Sequence, residues 1–138
     1  MNILRNILAV LLGGFVALML NGVLIEVGYR VVPVDPGFDP SNPDTIKATA
    51  HLLTLGNFLM AFAAHALGSV AGGLVAGLVA ATRKTLIAVI IGFLHLLGGI
   101  VAAVMIPAPV WFLILDLGVA YVPAAWLAGK LVDRKKGK

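Results

Sequence analysis

Two histidines, His65 and His95, stand near the middle of two separate apolar runs, and a carboxylate, Asp116, stands inside a third. An ionisable group at bilayer depth is costly, and it usually has a partner or marks a path for protons or ions. Imidazole exchanges its proton near neutral pH, so two histidines beside a carboxylate have the chemistry of a relay. Glu26 and Asn21, in the outer third of the first apolar run, extend the candidate cluster to His65, His95, Asp116, Glu26 and Asn21.

Three readings follow from these residue types. The leading one is proton or small-solute permeation through the His/Asp/Glu cluster, with no cofactor. The second is a non-catalytic membrane scaffold or accessory subunit, in which a histidine bonded to a carbonyl, or Asp116 bonded to Asn21, joins helices for about 0.6–2 kcal/mol each. The third makes His65 and His95 axial ligands of a haem, or ligands of zinc or iron together with a carboxylate. Against haem, the chain has no attachment motif, and the helix carrying His65 is too rich in glycine and alanine to hold its neighbours apart. No nucleophile with a base, no phosphate loop and no zinc-protease motif is present, so the chain is not expected to be an enzyme.

The elements that position these groups are legible from composition. The chain has 138 residues, 61% hydrophobic and 12% charged, with mean hydropathy +1.07. Soluble domains carry roughly a quarter charged residues, so this is a single transmembrane domain, residues 1–138, in contact with a lipid bilayer. Cysteine is absent, which removes disulfides and thiolate chemistry. The net charge of +4 is concentrated at helix ends and points to topology rather than to nucleic acid.

Apolar runs at about 4–28, 52–81, 85–106 and 110–130 each approach or exceed the roughly 20 residues needed to cross. They predict an all-α, integral-membrane, antiparallel four-helix bundle with an outer loop over about 29–51. Arg5, Arg83, Lys84, Lys130, Arg134, Lys135, Lys136 and Lys138 fall on one side of this bundle, and only Arg30 and Lys47 on the other. That bias places both termini in the cytoplasm of a cell inner membrane. Arg5 before an apolar stretch resembles a signal peptide, but no small-x-small cleavage site follows, so a retained first helix is expected.

In the loop, Asn42-Pro43 reads as an N-cap and first helical position, starting the second helix in the interface. Asp35, Asp39 and Asp44 fail the calcium-loop spacing and read as turn residues. The tail Asp133-Arg134-Lys135-Lys136-Gly137-Lys138 is a cytoplasmic flank suited to anionic lipid.

Packing is foreshadowed by small residues, which let helix backbones approach where lipid supplies no hydrophobic drive. The second helix carries Gly68, Gly72, Ala76 and Ala80 at spacing four, with Ser69, Gly73, Gly77 and Ala81 beside them. Two stripes imply two neighbours, with a second copy of the chain a candidate for one of them. The third helix offers Ala88, Gly92, His95, Gly99 and Ala103. The fourth offers Asp116, Ala120, Ala124 and Ala128, and the first Asn6, Val10, Gly13, Ala17 and Asn21. Pro123 frees the carbonyl of Val119 and predicts a kink beside Tyr121. The echo of His65-Ala66-Leu67-Gly68-Ser69 in His95-Leu96-Leu97-Gly98-Gly99 hints at a two-fold relation in the membrane plane.

His65-Ala66-Leu67-Gly68, Pro109-Val110-Trp111-Phe112, Asp116-Leu117 and Tyr121 through Leu127 together resemble a group of small four-helix bacterial membrane proteins with no assigned function. The resemblance spans most of the chain. It implies the four-span topology and a bacterial inner membrane, and it brings no catalytic residue with it.

Overall fold

A computed structural model describes residues 2–39 and 41–134. Pro40 and the basic residues Lys135, Lys136 and Lys138 lie outside the described residues. Among the described residues the chain is an all-α bundle of four helices long and apolar enough to cross a membrane, as the sequence predicts. Helix α1 covers Asn2–Val31, α3 Leu55–Val79 and α4 Lys84–Met105. A short helix, α2 (Pro43–Thr49), interrupts the connection between the first two. The fourth span is composite: α5 (Val110–Leu115), a π-helical segment over Asp116–Ala120, and α6 (Val122–Arg134).

The exterior is apolar and the interior is small or polar. Val104 is 82% exposed, Ile3 77% and Ile114 71%, and Leu, Ile, Val and Phe side chains cover the outside of all four spans. Soluble monomers rarely expose contiguous apolar patches beyond a few hundred Å². A multi-pass membrane protein does so by necessity.

Inside, glycine and alanine set the spacing. A methyl group on Gly13 of α1 would lie 2.6 Å from Ala76 Cβ and 2.7 Å from Gly72 O of α3. Gly73 meets the Ala125 backbone of α6 at 3.1 Å in the same sense, and Gly77 meets Val132 at 3.4 Å. Gly92 faces Ala125 and the Val122 backbone, and Gly129 faces Thr85 and Ala88. Both stripes of the second span are therefore occupied, one by α1 and the other by α6, within a single chain.

The two ends of the bundle are closed differently. At the turn between α3 and α4, Arg5 Nε donates to Val79 O at 2.6 Å. Asn6 Oδ1 accepts from Ala81 N at 2.9 Å, while Asn6 Nδ2 donates to Thr82 Oγ1 at 3.0 Å. This clasp holds Arg83 in the left-handed region (φ 49°), a conformation that disfavours residues with a Cβ by about 1–2 kcal/mol. Thr85 Oγ1 donates to Asp133, tying the start of α4 to the end of α6.

At the other end, the connection folds over the bundle. Phe38, Ile46 and Ala50 are buried, and Phe38 packs edge-on against Tyr29 with ring centroids 5.8 Å apart. Asn42 does cap a helix, accepting from Asp44 N at 3.0 Å, but that helix is α2 and not the start of the second span. A 3₁₀ turn over Ala50–Leu52 follows, and a capping box of Thr54 and Asn57 then opens α3. The helix start shifts from about 52 to Leu55 because Thr54 satisfies the first-turn donors there. Asp35 and Asp39 are turn acceptors, binding Gly37 N and Ser41 N, each at 2.8 Å. The Ser41 hydroxyl and then its N–H hold Asp39 below the usual carboxylate range.

Adjacent glycines separate close packing from helix propensity. Gly13→Ala is expected to lower stability by about 1–3 kcal/mol, because its new methyl group meets α3. Gly14, with open space around its Cβ position, is expected to tolerate alanine or gain up to about 1 kcal/mol. Equilibrium unfolding of the two variants in mild detergent measures the difference.

Candidate functional site

The fourth span would present Asp116 and Tyr121 on different faces if it were regular. Five residues along an α-helix place side chains roughly 140° apart. The π-helical segment over Asp116–Ala120 widens that turn, Tyr121 takes φ −107° and ψ −81°, and both side chains point inward. Pro123 explains the local unwinding. It has no N–H to give Val119 O, and it is accommodated as the second residue of α6, where a helix needs no donor. The kink expected at Pro123 is thus realised as a π-helical segment immediately before it.

Five side chains meet at this level. His65 Nδ1 bonds Asp116 Oδ1 at 2.7 Å, and Tyr121 OH donates to Asp116 Oδ2 at 3.1 Å. His95 Nδ1 bonds Ser69 Oγ at 2.9 Å. The Tyr121 ring stacks on His65 at 5.2 Å and stands edge-on to His95 at 5.1 Å, joining the two hydrogen-bonded groups. His95, Asp116, Ser69 and Tyr121 are buried, and His65 keeps 15% of its side-chain surface. Tyr121 holds one carboxyl oxygen of Asp116 and His65 Nδ1 the other, and the second contact fixes the orientation of the imidazole ring.

Of the expected cluster, His65, His95 and Asp116 are brought together. Glu26 is not. It lies on the outside of α1 with 62% of its side chain exposed and pairs with Arg30 at 3.0 Å. The i,i+4 spacing lets the two charges meet on the helix surface, where water or headgroups solvate them. Asn21 stands beside the cluster rather than in it. Its Oδ1 is buried with no partner, and it bonds neither Asp116 nor a histidine. Gly68 makes room for both: a Cβ there would sit 3.2 Å from Asn21 Cβ and 3.2 Å from His95 Cε1.

Tyr121 and Ser69 were not legible as members. Ser69 sits one turn after His65, a spacing that puts both on one face, and this was the available signal. For Tyr121 the signal was Pro123, two residues on, which breaks the regular register. Gly99 provides the space for the tyrosine, since any Cβ there would overlap its hydroxyl.

A cavity of about 110 Å³ runs from beneath the loop cap to this network. Phe38 and Leu53 border it at the loop end, Tyr29, Phe58 and Phe112 along its walls, and His65 and Asp116 in its interior. A second cavity of about 140 Å³ lies between α1 and α4 and touches His95. Towards the α3–α4 turn, the bundle closes on the Gly13–Gly72 and Gly73–Ala125 contacts described above.

The two imidazoles do not face each other across a gap. Their ring centroids are 6.4 Å apart at 83°, and a macrocycle between them would have to displace Tyr121. Among the described residues, no three His, Asp or Glu side chains converge as metal ligands would. No protein-family profile, no curated protein and no solved structure matches this chain.

The Tyr121–Asp116 bond joins residues on either side of the π-helical turn. A double-mutant cycle of Tyr121→Phe and Asp116→Asn is expected to give a coupling energy of roughly 0.6–2 kcal/mol, the range of buried polar bonds in membrane bundles. Additive effects in the cycle would show that the bond contributes nothing.

Proposed function

We propose that this chain is a multi-pass protein of the bacterial inner membrane that moves protons or a small solute by way of the His65–Asp116–Tyr121 group. One observation carries the reading: an imidazole–carboxyl pair, largely enclosed between two helices apolar enough to cross a membrane, lines a cavity that is bordered at its other end by the loop residues Phe38 and Leu53. Groups of this kind are expensive in a membrane and mark transport paths and proton relays. His95 and Ser69 stand next along the interior and extend the polar path towards the second cavity. The charge bias of the chain puts the loop end outside and both termini in the cytoplasm. The site then takes up its proton or solute from the outer side.

A scaffold or accessory role is favoured by a different observation, the close glycine and alanine packing of the half that carries the α3–α4 turn. The two readings separate in reconstituted liposomes loaded with a pH-sensitive dye. Asp116→Asn and His95→Leu are expected to cut flux at least about tenfold, the usual effect of losing a proton-transfer group, while the variants stay folded. Flux equal in wild type, variants and empty liposomes, with only thermal stability changed, selects the scaffold.

Topology has its own test, since the chain contains no native cysteine. Ala48→Cys in α2 is expected to react with a membrane-impermeant maleimide in spheroplasts. Thr82→Cys is expected to react only after permeabilisation.

A further inference from the structure

We infer that the outward face of α6 holds the headgroup of an anionic phospholipid, with Lys130 and Arg134 on its phosphate and Trp126 beside its glycerol. The inference does not depend on the transport reading.

Helix α6 has two unlike faces. Ala124, Ala125, Ala128, Gly129 and Val132 are buried, with Ala125, Ala128 and Val132 against α3 and Gly129 against α4. On the opposite face Trp126, Lys130 and Arg134 recur at spacing four, with Leu127 and Leu131 alongside, and all five are exposed. These residues and Asp133 border an open groove of about 730 Å³. The groove lies at the end of the fourth span, where the chain leaves its apolar stretch.

The charge of the groove selects its occupant. Among the described residues neither Lys130 nor Arg134 makes an ion pair. Asp133, the only acidic residue of α6, has its carboxylate engaged by the Thr85 hydroxyl. Lys130 and Arg134 against Asp133 leave one positive charge over. A phospholipid with a single net negative charge neutralises it. A zwitterionic lipid brings its own ammonium and does not.

Depth points the same way. Side chains on a helix lean towards its N-terminus, which for α6 is the membrane interior. Lys130 follows this rule, since its ammonium stands 5.7 Å from the centroid of the Trp126 ring, one turn further in. It is drawn down onto the indole rather than snorkelling out to water. Indole rings favour the headgroup level, and the anions a bilayer offers there are phosphates. Arg134 lines the groove one turn further out, and a guanidinium fork fits two phosphate oxygens. Leu127 and Leu131 give the first part of an acyl chain an apolar surface to lie on.

The two tryptophans of the chain provide the test, because Trp111 stands at the other end of the fourth span. Trp111→Phe leaves Trp126 as the sole reporter, and Trp126→Phe leaves Trp111. The full chain is reconstituted in phosphatidylcholine vesicles containing phosphatidylglycerol brominated on its acyl chains close to the ester. Brominated phosphatidylcholine is the control, since bromine quenches indole fluorescence on contact. Trp126 is expected to favour the brominated phosphatidylglycerol at least about fivefold, the attraction of roughly one basic residue to an anionic surface. Trp111 is expected to show no preference. Lys130→Gln with Arg134→Gln, both at exposed positions, removes the preference and leaves quenching by brominated phosphatidylcholine unchanged, which shows that the chain is still folded and inserted. Equal quenching of Trp126 by the two lipids overturns the inference. An equal preference at Trp111 overturns it as well, because the attraction is then diffuse. A preference that survives the double substitution also overturns it and assigns the attraction to basic residues outside the groove.

Discussion

Helices in a bilayer gain nothing by hiding leucine from lipid, so their association depends on how closely backbones can approach. In this bundle the approach is set by Gly13 against Gly72 and Ala76, where even a methyl group would overlap. The rest of the architecture follows from that contact. With α1 drawn against one stripe of α3, the other stripe faces α6 through Gly73, Ala125 and Ala128. Helix α4 then packs against α6 through Gly92 and Gly129. The large apolar side chains have nowhere to go but outward, and the lipid-facing surface is a consequence of the packing as much as a requirement of the solvent.

Close packing of this kind leaves little room for polar groups, and the chain makes that room by breaking one helix. Pro123 denies Val119 its partner, the preceding turn widens, and Asp116 and Tyr121 are turned to the same side. π-helical turns recur at functional sites because they re-aim side chains at some cost in backbone regularity. Here the cost is offset by bonds that join three spans: Asp116 to His65 of α3, Tyr121 to Asp116, and Tyr121 against both histidine rings. The polar network and the helix break depend on each other.

Span number, order and inward faces were legible in the sequence because they rest on period and residue size. Asp116, Ala120, Ala124 and Ala128, read as one stripe, are all buried, as are Gly68, Gly72, Ala76 and Ala80. Helix starts were less legible. The capping box at Thr54 and Asn57 competes with Asn42-Pro43, and a local pattern cannot say that both are used. Glu26 was misplaced because an acid in an apolar run looks intramembrane until its rotation about the helix axis is known. Tyr121 was missed for the opposite reason: on a regular helix it could not reach Asp116. Long-range clasps such as Asn6 on the α3–α4 turn leave no local pattern at all.

The bundle is asymmetric along its axis. The loop half holds a cavity, aromatic walls and the imidazole–carboxylate pair. The turn half holds glycine contacts, and its clasp of Arg5 and Asn6 bonds α1 to the end of α3 and the turn beyond it. The two halves are therefore held by different means, hydrogen-bonded and aromatic groups around the cavity and close backbone contact towards the turn. Helix α3 takes part in both, with His65 and Ser69 at the level of the network and Gly72, Gly73 and Gly77 at the level of the close contacts. A change in its packing against α1 or α6 is felt at the polar network because the same helix carries both sets of residues.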